Sequence, residues 1–357
     1  MYRMSTDTMK THRIDVKTRG LAGLHDLMKE WGYEPYRAEQ IGGWLYKHDV
    51  QLVSRMRNLP RSLQSKLEDE TVISRACIAT RTSSADGSTK LLITYNTGDS
   101  VETVYMPLPR RISICLSCQT GCAMGCIFCA TALRGRGRNL NTGEILEQYY
   151  AVQRPHPDGP GLDKPTHIVF MGMGEPLLNT EHVLEAIRIL TWHHGPGYSP
   201  RRITVSTCGV GDGILNLMHS GQGVRLAISL HSPFETERRT LMPGASPLKH
   251  TITQARTYAL HHKQRITFEY TMFDGVNDSL HHARALAAMC RTLPSKVNII
   301  PWNPVPGIPY KSSPPQVMET FVAYLKPRIP AVTIRQSRGT DVGGGCGQLA
   351  GSRAFTL

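Results

Sequence analysis

Cys122-Ala123-Met124-Gly125-Cys126-Ile127-Phe128-Cys129 sets three thiols in a C-x-x-x-C-x-x-C loop, one thiolate fewer than a four-cysteine iron–sulfur cluster uses. A [4Fe–4S] cluster held this way keeps one iron open. That iron can take the amino and carboxylate groups of S-adenosylmethionine and pass one electron to the sulfonium, which releases a carbon radical. Structural zinc is the second reading, because Cys115 and Cys118 lie nearby and zinc also accepts four thiolates. Zinc knuckles, however, favour paired C-x2-4-C units separated by a spacer, and this triplet is one tight loop.

The loop follows directly on an apolar run at 112–115. Similar runs recur at 167–171, 203–206, 224–229, 266–271 and 297–300, with helical stretches between them. Six such units, with the sheet buried on both faces, predict an α/β chain with a partial (β/α)6 TIM-like barrel, short of the eight strands that close a full one. A wide mouth at the strand C-terminal ends is the expected seat of chemistry and would admit a macromolecule. Residues 107–338 are assigned to this barrel, and 339–357 to a C-terminal loop carrying a reactive cysteine. Residues 21–106 read as a small N-terminal accessory domain that binds RNA. Its helices come first, with Tyr36, Ile41, Trp44 and Leu45 on one face. Short antiparallel strands follow, broken by turns at Asp86-Gly87 and Thr97-Gly98-Asp99. Residues 1–20 read as a flexible basic tail, and Asp278 as a helix cap.

Lys and Arg number 41 against 28 Asp and Glu, and the net charge of +13 points to a polyanionic partner, RNA or DNA. Basic pairs stand at Arg110-Arg111, Arg201-Arg202 and Arg238-Arg239, and Arg134, Arg136 and Arg138 alternate with glycines beside the cysteines. No run approaches the roughly 18 apolar residues of a membrane helix, and residues 1–20 lack a signal-peptide core, so a cytoplasmic protein is expected. Nine cysteines, five of them between Cys115 and Cys129, suit metal or redox chemistry in reducing surroundings better than a disulfide framework.

The run at 167–171 opens into Gly172-Met173-Gly174-Glu175-Pro176. This loop lacks both the Lys-Ser/Thr of a phosphate loop and a full G-x-G-x-x-G, so its carbonyls either receive an ammonium or simply turn the chain. Ser206, Ser229 with His231, and Asn303 each follow an apolar run, which puts them on one rim where a nucleoside would lie. Singly, each is as readily a turn residue or a helix cap. Strict alternation puts Glu102 on the face of Val104 and Met106, either as a sheet-edge carboxylate in water or as a desolvated proton acceptor. Cys346, in Gly343-Gly344-Gly345-Cys346-Gly347-Gln348, reads as an exposed thiol on a mobile loop, reactive or adventitious. Cys77, Cys208 and Cys290 read as small core residues, and the doublets His193-His194, His261-His262 and His281-His282 as solvent-facing or phosphate-contacting.

Over most of the chain these residues resemble the radical S-adenosylmethionine RNA methyltransferases that methylate adenine C2 in 23S rRNA and in tRNA. The resemblance rests on Cys115 to Cys129, Gly172 to Pro176, Ser206, Ser229 to His231, Asp274 to Asp278, Asn303 to Gly307 and Cys346 to Gly351. It implies a radical-SAM barrel, with a [4Fe–4S] cluster on Cys122, Cys126 and Cys129. It also implies S-adenosylmethionine held by Gly174, Glu175, Ser206, Ser229, Leu230, His231 and Asn303. Cys346 would become an S-methylcysteine intermediate, Cys115 would resolve it through a transient disulfide, and Glu102 would be the proton acceptor. An external flavodoxin-like electron donor and a thiol reductant such as thioredoxin would serve the reaction. The chain departs from the family pattern at Cys118, where a serine or threonine is usual, and at Arg136, where a large apolar residue is. An extra thiol beside Cys115 could compete for the disulfide. Two alternatives stand beside this one: methylation at adenine C8 by the same cysteines, which confers antibiotic resistance, and a zinc-stabilised RNA-binding protein without catalysis.

Overall fold

The structure is a computed structural model that describes residues 13–351. Its twelve strands form two sheets. β1 (Ile14–Asp15) and β2 (Thr71–Val72) make a small parallel pair. The others form one ten-stranded sheet in unbroken chain order: β3 (Cys77–Ser83), β4 (Thr89–Thr94), β5 (Ser100–Leu108), β6 (Arg111–Leu116), β7 (His167–Phe170), β8 (Ile203–Thr207), β9 (Arg225–Ser229), β10 (Ile266–Met272), β11 (Ser295–Pro301) and β12 (Val332–Ile334). From β6 to β12 every pairing is parallel, and from β3 to β6 every pairing is antiparallel.

Helices α1 (Gly20–Glu30), α2 (Tyr36–Tyr46) and α3 (Arg61–Glu70) make the N-terminal module. Around the barrel run α4 (Ala130–Leu133), α5 (Thr142–Ala151), α6 (Thr180–Thr191), α7 (Gly213–His219), α8 (Glu235–Leu241), α9 (Leu248–His262), α10 (Leu280–Cys290) and α11 (Pro315–Leu325). The fold is thus α/β with an open parallel barrel and an N-terminal module. It has seven parallel strands rather than six, because β12 is only three residues long and its apolar run is correspondingly short.

The antiparallel strands are not a separate sheet. They extend the barrel sheet from β6 outward, so the expected boundary at 106/107 falls inside β5. Pro107 sits there without breaking the ladder, because β4 pairs β5 only as far as Tyr105 and leaves that edge free. The expectation of a sheet buried on both faces also needs correction. β7 and β8 alternate buried with half-exposed residues: Ile168, Ile203 and Val205 are buried, while His167, Val169 and Thr204 are partly accessible. The barrel interior is open rather than packed.

The start of the chain is not a free tail over its described part; residues 1–12 lie outside the described residues. Ile14 pairs with Thr71, and the fully buried Lys17 ammonium lies 2.9 Å from Asp49 Oδ1 and also pairs with Glu147. Arg154 closes the group, 2.6 Å from Asp49 and 2.7 Å from Glu147. Periodicity cannot reveal such a polar staple.

In α2, Ala38, Ile41 and Leu45 are buried, whereas Tyr36 is 49% exposed. At 3.6 residues per turn Tyr36 lies roughly 140° around the helix from Ile41, so it does not share that face. Ser279, not Asp278, caps α10 by accepting the His282 N–H. The Asp278 carboxylate instead accepts Ser313 Oγ–H at 2.8 Å. His282 is buried, 2.9 Å from Glu237 Oε2, so that doublet is not wholly solvent-facing. Cys208 and Cys290 are buried as expected, but Cys77 is exposed on the outermost strand.

Candidate active site

Two loops at the strand C-terminal ends are joined before any cysteine is reached. Leaving β6, Ser117 is held by the buried Gln148, whose Oε1 accepts the Ser117 N–H and whose Nε2 donates to the Ser117 carbonyl, both at 2.8 Å. Ser117 Oγ accepts the Met173 N–H at 2.8 Å, and the Met173 carbonyl accepts the Cys118 N–H at 2.8 Å. The Glu175 N–H then donates to Gln119 Oε1 at 2.8 Å. Gly174 makes this approach feasible: its φ is +97°, and a Cβ there would lie 2.6 Å from Gln119 Cβ.

Cys122, Cys126 and Cys129 border one cavity of about 1030 Å³, open to solvent. Burial pushes each thiol up, Cys122 to about 11, and in Cys126 the neighbouring Cys129 and Cys122 add to the effect. Such mutually raised thiols suit a cationic group that would take them as thiolates. Among the described residues no three His, Cys, Asp or Glu groups gather tightly enough to hold a single metal ion. Cys118 turns away, with its Sγ 3.6 Å from the Met173 carbonyl. Three thiols on the wall of one cavity fit an iron–sulfur cluster as the group they would hold.

Gly174, Glu175, Ser206, Ser229, His231 and Asn303 border the same cavity, so the structure brings together six of the seven residues expected to hold S-adenosylmethionine. Leu230 is the exception. Its side chain is in the core, its N–H donates to the Glu269 carbonyl at 3.0 Å, and its own carbonyl accepts the Ser232 N–H at 2.7 Å.

Burial raises the Glu175 carboxyl, against hydrogen bonds donated by Leu177 N–H, Cys208 N–H and Cys208 Sγ–H. Burial, then the charge of Arg238, lowers His231 to about 3. The neutral ring accepts the Thr271 N–H on Nδ1 at 3.0 Å, which leaves its proton on Nε2.

Cys346 also borders this cavity. Its segment is tied down rather than mobile. Asn303 Nδ2 donates to the Cys346 carbonyl at 3.0 Å, the Ala130 N–H to the Gly347 carbonyl at 2.7 Å, and Thr131 Oγ to the Leu349 carbonyl at 2.6 Å. Just beyond, Glu102 Oε2 accepts the Ala350 and Gly351 N–H groups at 2.7 and 3.0 Å, while Lys90 Nζ lies 2.8 Å from Oε1. Glu102 is buried, which excludes the water-exposed edge reading. Cys115 lies on the other side of Cys346: both border a second, smaller cavity together with Arg335, and both are free thiols.

Arg335 and Cys208 are among the cavity residues that escaped the sequence reading. Arg335 follows β12 much as Ser206 and Ser229 stand near the C-terminal ends of β8 and β9, and the short run Ala331-Val332-Thr333-Ile334 was the available signal. Cys208 is buried as expected, yet it borders the catalytic cavity with its Sγ 3.1 Å from Glu175 Oε2.

Residues 116–286 match the Radical SAM superfamily, and residues 18–73 match the Ribosomal RNA large subunit methyltransferase N-terminal domain. The chain is 38% identical to a dual-specificity RNA methyltransferase RlmN of Anaeromyxobacter sp., over 95% of this chain and 91% of that one. It is 42% identical to a probable dual-specificity RNA methyltransferase RlmN of Thermus thermophilus, over 92% of each. A radical SAM methyltransferase from Sphaerobacter thermophilus superposes with a TM-score of 0.84 at 37% identity, covering 94% of this chain and 99% of that one. With both modules matched and the cysteine loop, rim and Cys346 gathered at one site, the chain belongs to the RlmN family of radical S-adenosylmethionine RNA methyltransferases.

Proposed function

We propose that this enzyme methylates C2 of adenine 2503 in 23S rRNA and of adenine 37 in tRNA, through an S-methylcysteine on Cys346. The position of Cys346 carries the reading, since it borders the three-thiol cavity on one side and shares a cavity with Cys115 on the other. Adenine C2 is an electron-poor carbon that does not attack a sulfonium methyl, so the methyl must arrive as a nucleophilic radical. Cys346 first displaces S-adenosylhomocysteine from one S-adenosylmethionine and keeps the methyl. When bound to Cys122, Cys126 and Cys129, a [4Fe–4S] cluster supplies one electron that splits a second S-adenosylmethionine into methionine and a 5′-deoxyadenosyl radical.

Gly174, Glu175, Ser206, Ser229, His231 and Asn303 hold S-adenosylmethionine. His231 does so as a neutral Nε2–H donor.

The Cys346 methyl loses a hydrogen atom to that radical and adds to C2. The adduct would return one electron to the cluster that Cys122, Cys126 and Cys129 would hold, and it loses the C2 proton, for which Glu102 is the acceptor. Cys115 then attacks the Cys346 sulfur, forming a disulfide while the carbon leaves with the base and takes up a proton. A thiol reductant must restore both cysteines, and a flavodoxin-like protein supplies the starting electron. Both are at hand in the cytoplasm.

Cys115→Ala tests the sequence of events. Isolated from cells and digested with nuclease and protease, this variant is expected to yield a Cys346 peptide carrying adenosine. Isotope-labelled base distinguishes C2 from C8. A clean, unmethylated Cys346 in iron-loaded protein would overturn the mechanism.

A further inference from the structure

The barrel has a second opening, at the strand N-terminal ends, whose rim is basic, with Glu269 as the carboxylate deeper in its lining. Arg111, Arg202, Arg225 and Lys296 stand at the starts of β6, β8, β9 and β11, dozens of residues apart in the chain, and line one basin of about 1540 Å³. Among the described residues none of these four has a carboxylate within 4.0 Å. Arg111, Arg202 and Arg225 are exposed, and their charges bear on the groups between them. Burial and then Arg225 hold the Lys296 ammonium below its ordinary value, against the opposing charge of Glu269, and burial, then Arg111, Arg202 and Arg225, do the same to His167. Mutual repulsion of this kind is relieved by a bound polyanion.

The basin abuts the catalytic cavity. Met171, Glu269 and Arg335 border both. The wall between is made of one alternating set of each strand, including Val169, Thr204, Thr267, Asn298 and Thr333, several of them partly accessible. A closed barrel fills this space with layers of branched side chains; here it offers hydroxyls, an amide and thioethers, which suit the edges and face of a base. The opposite end of the cavity carries the cysteine loop, with residues 346–351 tied over it to α4, Asn303 and Glu102. A substrate arriving there would have to displace that segment.

We propose that the RNA enters from the strand N-terminal side, its phosphates seated on Arg111, Arg202, Arg225 and Lys296, with the target adenine reaching Cys346 through the barrel. This rests on the reading of RNA as the substrate. It reverses the expectation of entry at the strand C-terminal mouth.

The test uses full-length protein and fluorescein-labelled tRNA, with binding measured by anisotropy from 50 to 300 mM KCl. The basin variant is Arg202→Ser/Arg225→Ser/Lys296→Ser. Its control, Lys249→Ser/Arg256→Ser/Arg291→Ser, removes the same charge from exposed positions on and beside the outer helices α9 and α10. The basin variant is expected to lose tenfold or more in affinity, and its salt slope to fall by about two, at roughly 0.7 per lost single-strand phosphate contact. The control is expected to lose less than threefold, and the unfolding temperature of the basin variant not to fall.

Equal losses in both variants, or none in either, would overturn the proposal. So would a basin that loses only its binding of sodium tripolyphosphate while tRNA affinity and slope stay unchanged, since a small phosphate compound would then be its ligand. If the unmodified protein binds no tRNA even at 50 mM KCl, the RNA reading itself fails and the entry route falls with it.

Discussion

Cys115 illustrates how far one residue's surroundings decide its chemistry. Its side chain is buried, and burial, followed by the neighbouring Cys346, pushes the thiol up to about 12, against the opposing charge of Arg335. A pKa above the working pH leaves the thiol protonated, so at pH 8 only about one part in ten thousand is thiolate. In the free enzyme Cys115 is therefore expected to resist alkylation by iodoacetamide at pH 8, while Cys77, exposed on β3, reacts first. Peptide mass spectrometry over a time course reads both. Early labelling of Cys115 would mean that its pocket is open and its charge already compensated. At this scale the chemistry of the cysteine triplet was legible because ligand spacing along a short loop is a local property. The pairing of Glu102 with the N–H groups of residues 350–351 was not, since it joins segments some 250 positions apart. Arg335 was hidden by the brevity of β12.

At the scale of elements, the site depends on how closely the loop after β7 packs on the loop after β6. Gly174→Ala would force a φ of +97° on a residue with a side chain and drive its Cβ to 2.6 Å from Gln119 Cβ. We expect a loss of about 2–4 kcal/mol in unfolding free energy, with S-adenosylmethionine binding weakened at least tenfold. Gly98 provides the comparison. Its φ is +82°, yet a Cβ there meets nothing within 4 Å, so Gly98→Ala should lose only about 1–2 kcal/mol and leave binding intact. Thermal unfolding and equilibrium dialysis separate the two. Equal effects on binding would show that backbone strain, rather than loop packing, is what matters. The strands and the glycine loop could be read from apolar runs and their punctuation. The joining of β3–β5 to the barrel could not, because Pro107 looks like a boundary until the free edge of β5 beyond Tyr105 is known.

For the whole molecule, the net charge of +13 announced a polyanionic partner, but not that Arg111, Arg202, Arg225 and Lys296 converge on one basin; only the barrel's curvature brings them together. The polar part of the N-terminal module's attachment was equally invisible: beside the apolar core that the module shares with the barrel, the buried Lys17 and Glu147 pair with the partly buried Asp49 and Arg154. This attachment makes stability depend on acid. Burial alone would raise the Glu147 carboxyl, but hydrogen bonds from Arg154 and the charges of Lys17 and Arg154 outweigh it and hold it at about 2, against an ordinary 4.5. A folded-state value below the unfolded one stabilises fully above about pH 4.5 and is lost as pH falls from there toward 2. The contribution is on the order of 3 kcal/mol. Lys17→Met removes one buried partner and is expected to lose about 3–5 kcal/mol at pH 7. Its deficit against the unmodified protein should shrink as pH falls from 4.5 to 3, because protonated Glu147 no longer needs the ammonium. Urea unfolding at pH 7, 5, 4 and 3 measures that gap, and a deficit unchanged at pH 3 would assign the loss to packing around the lysine stem instead of to its charge.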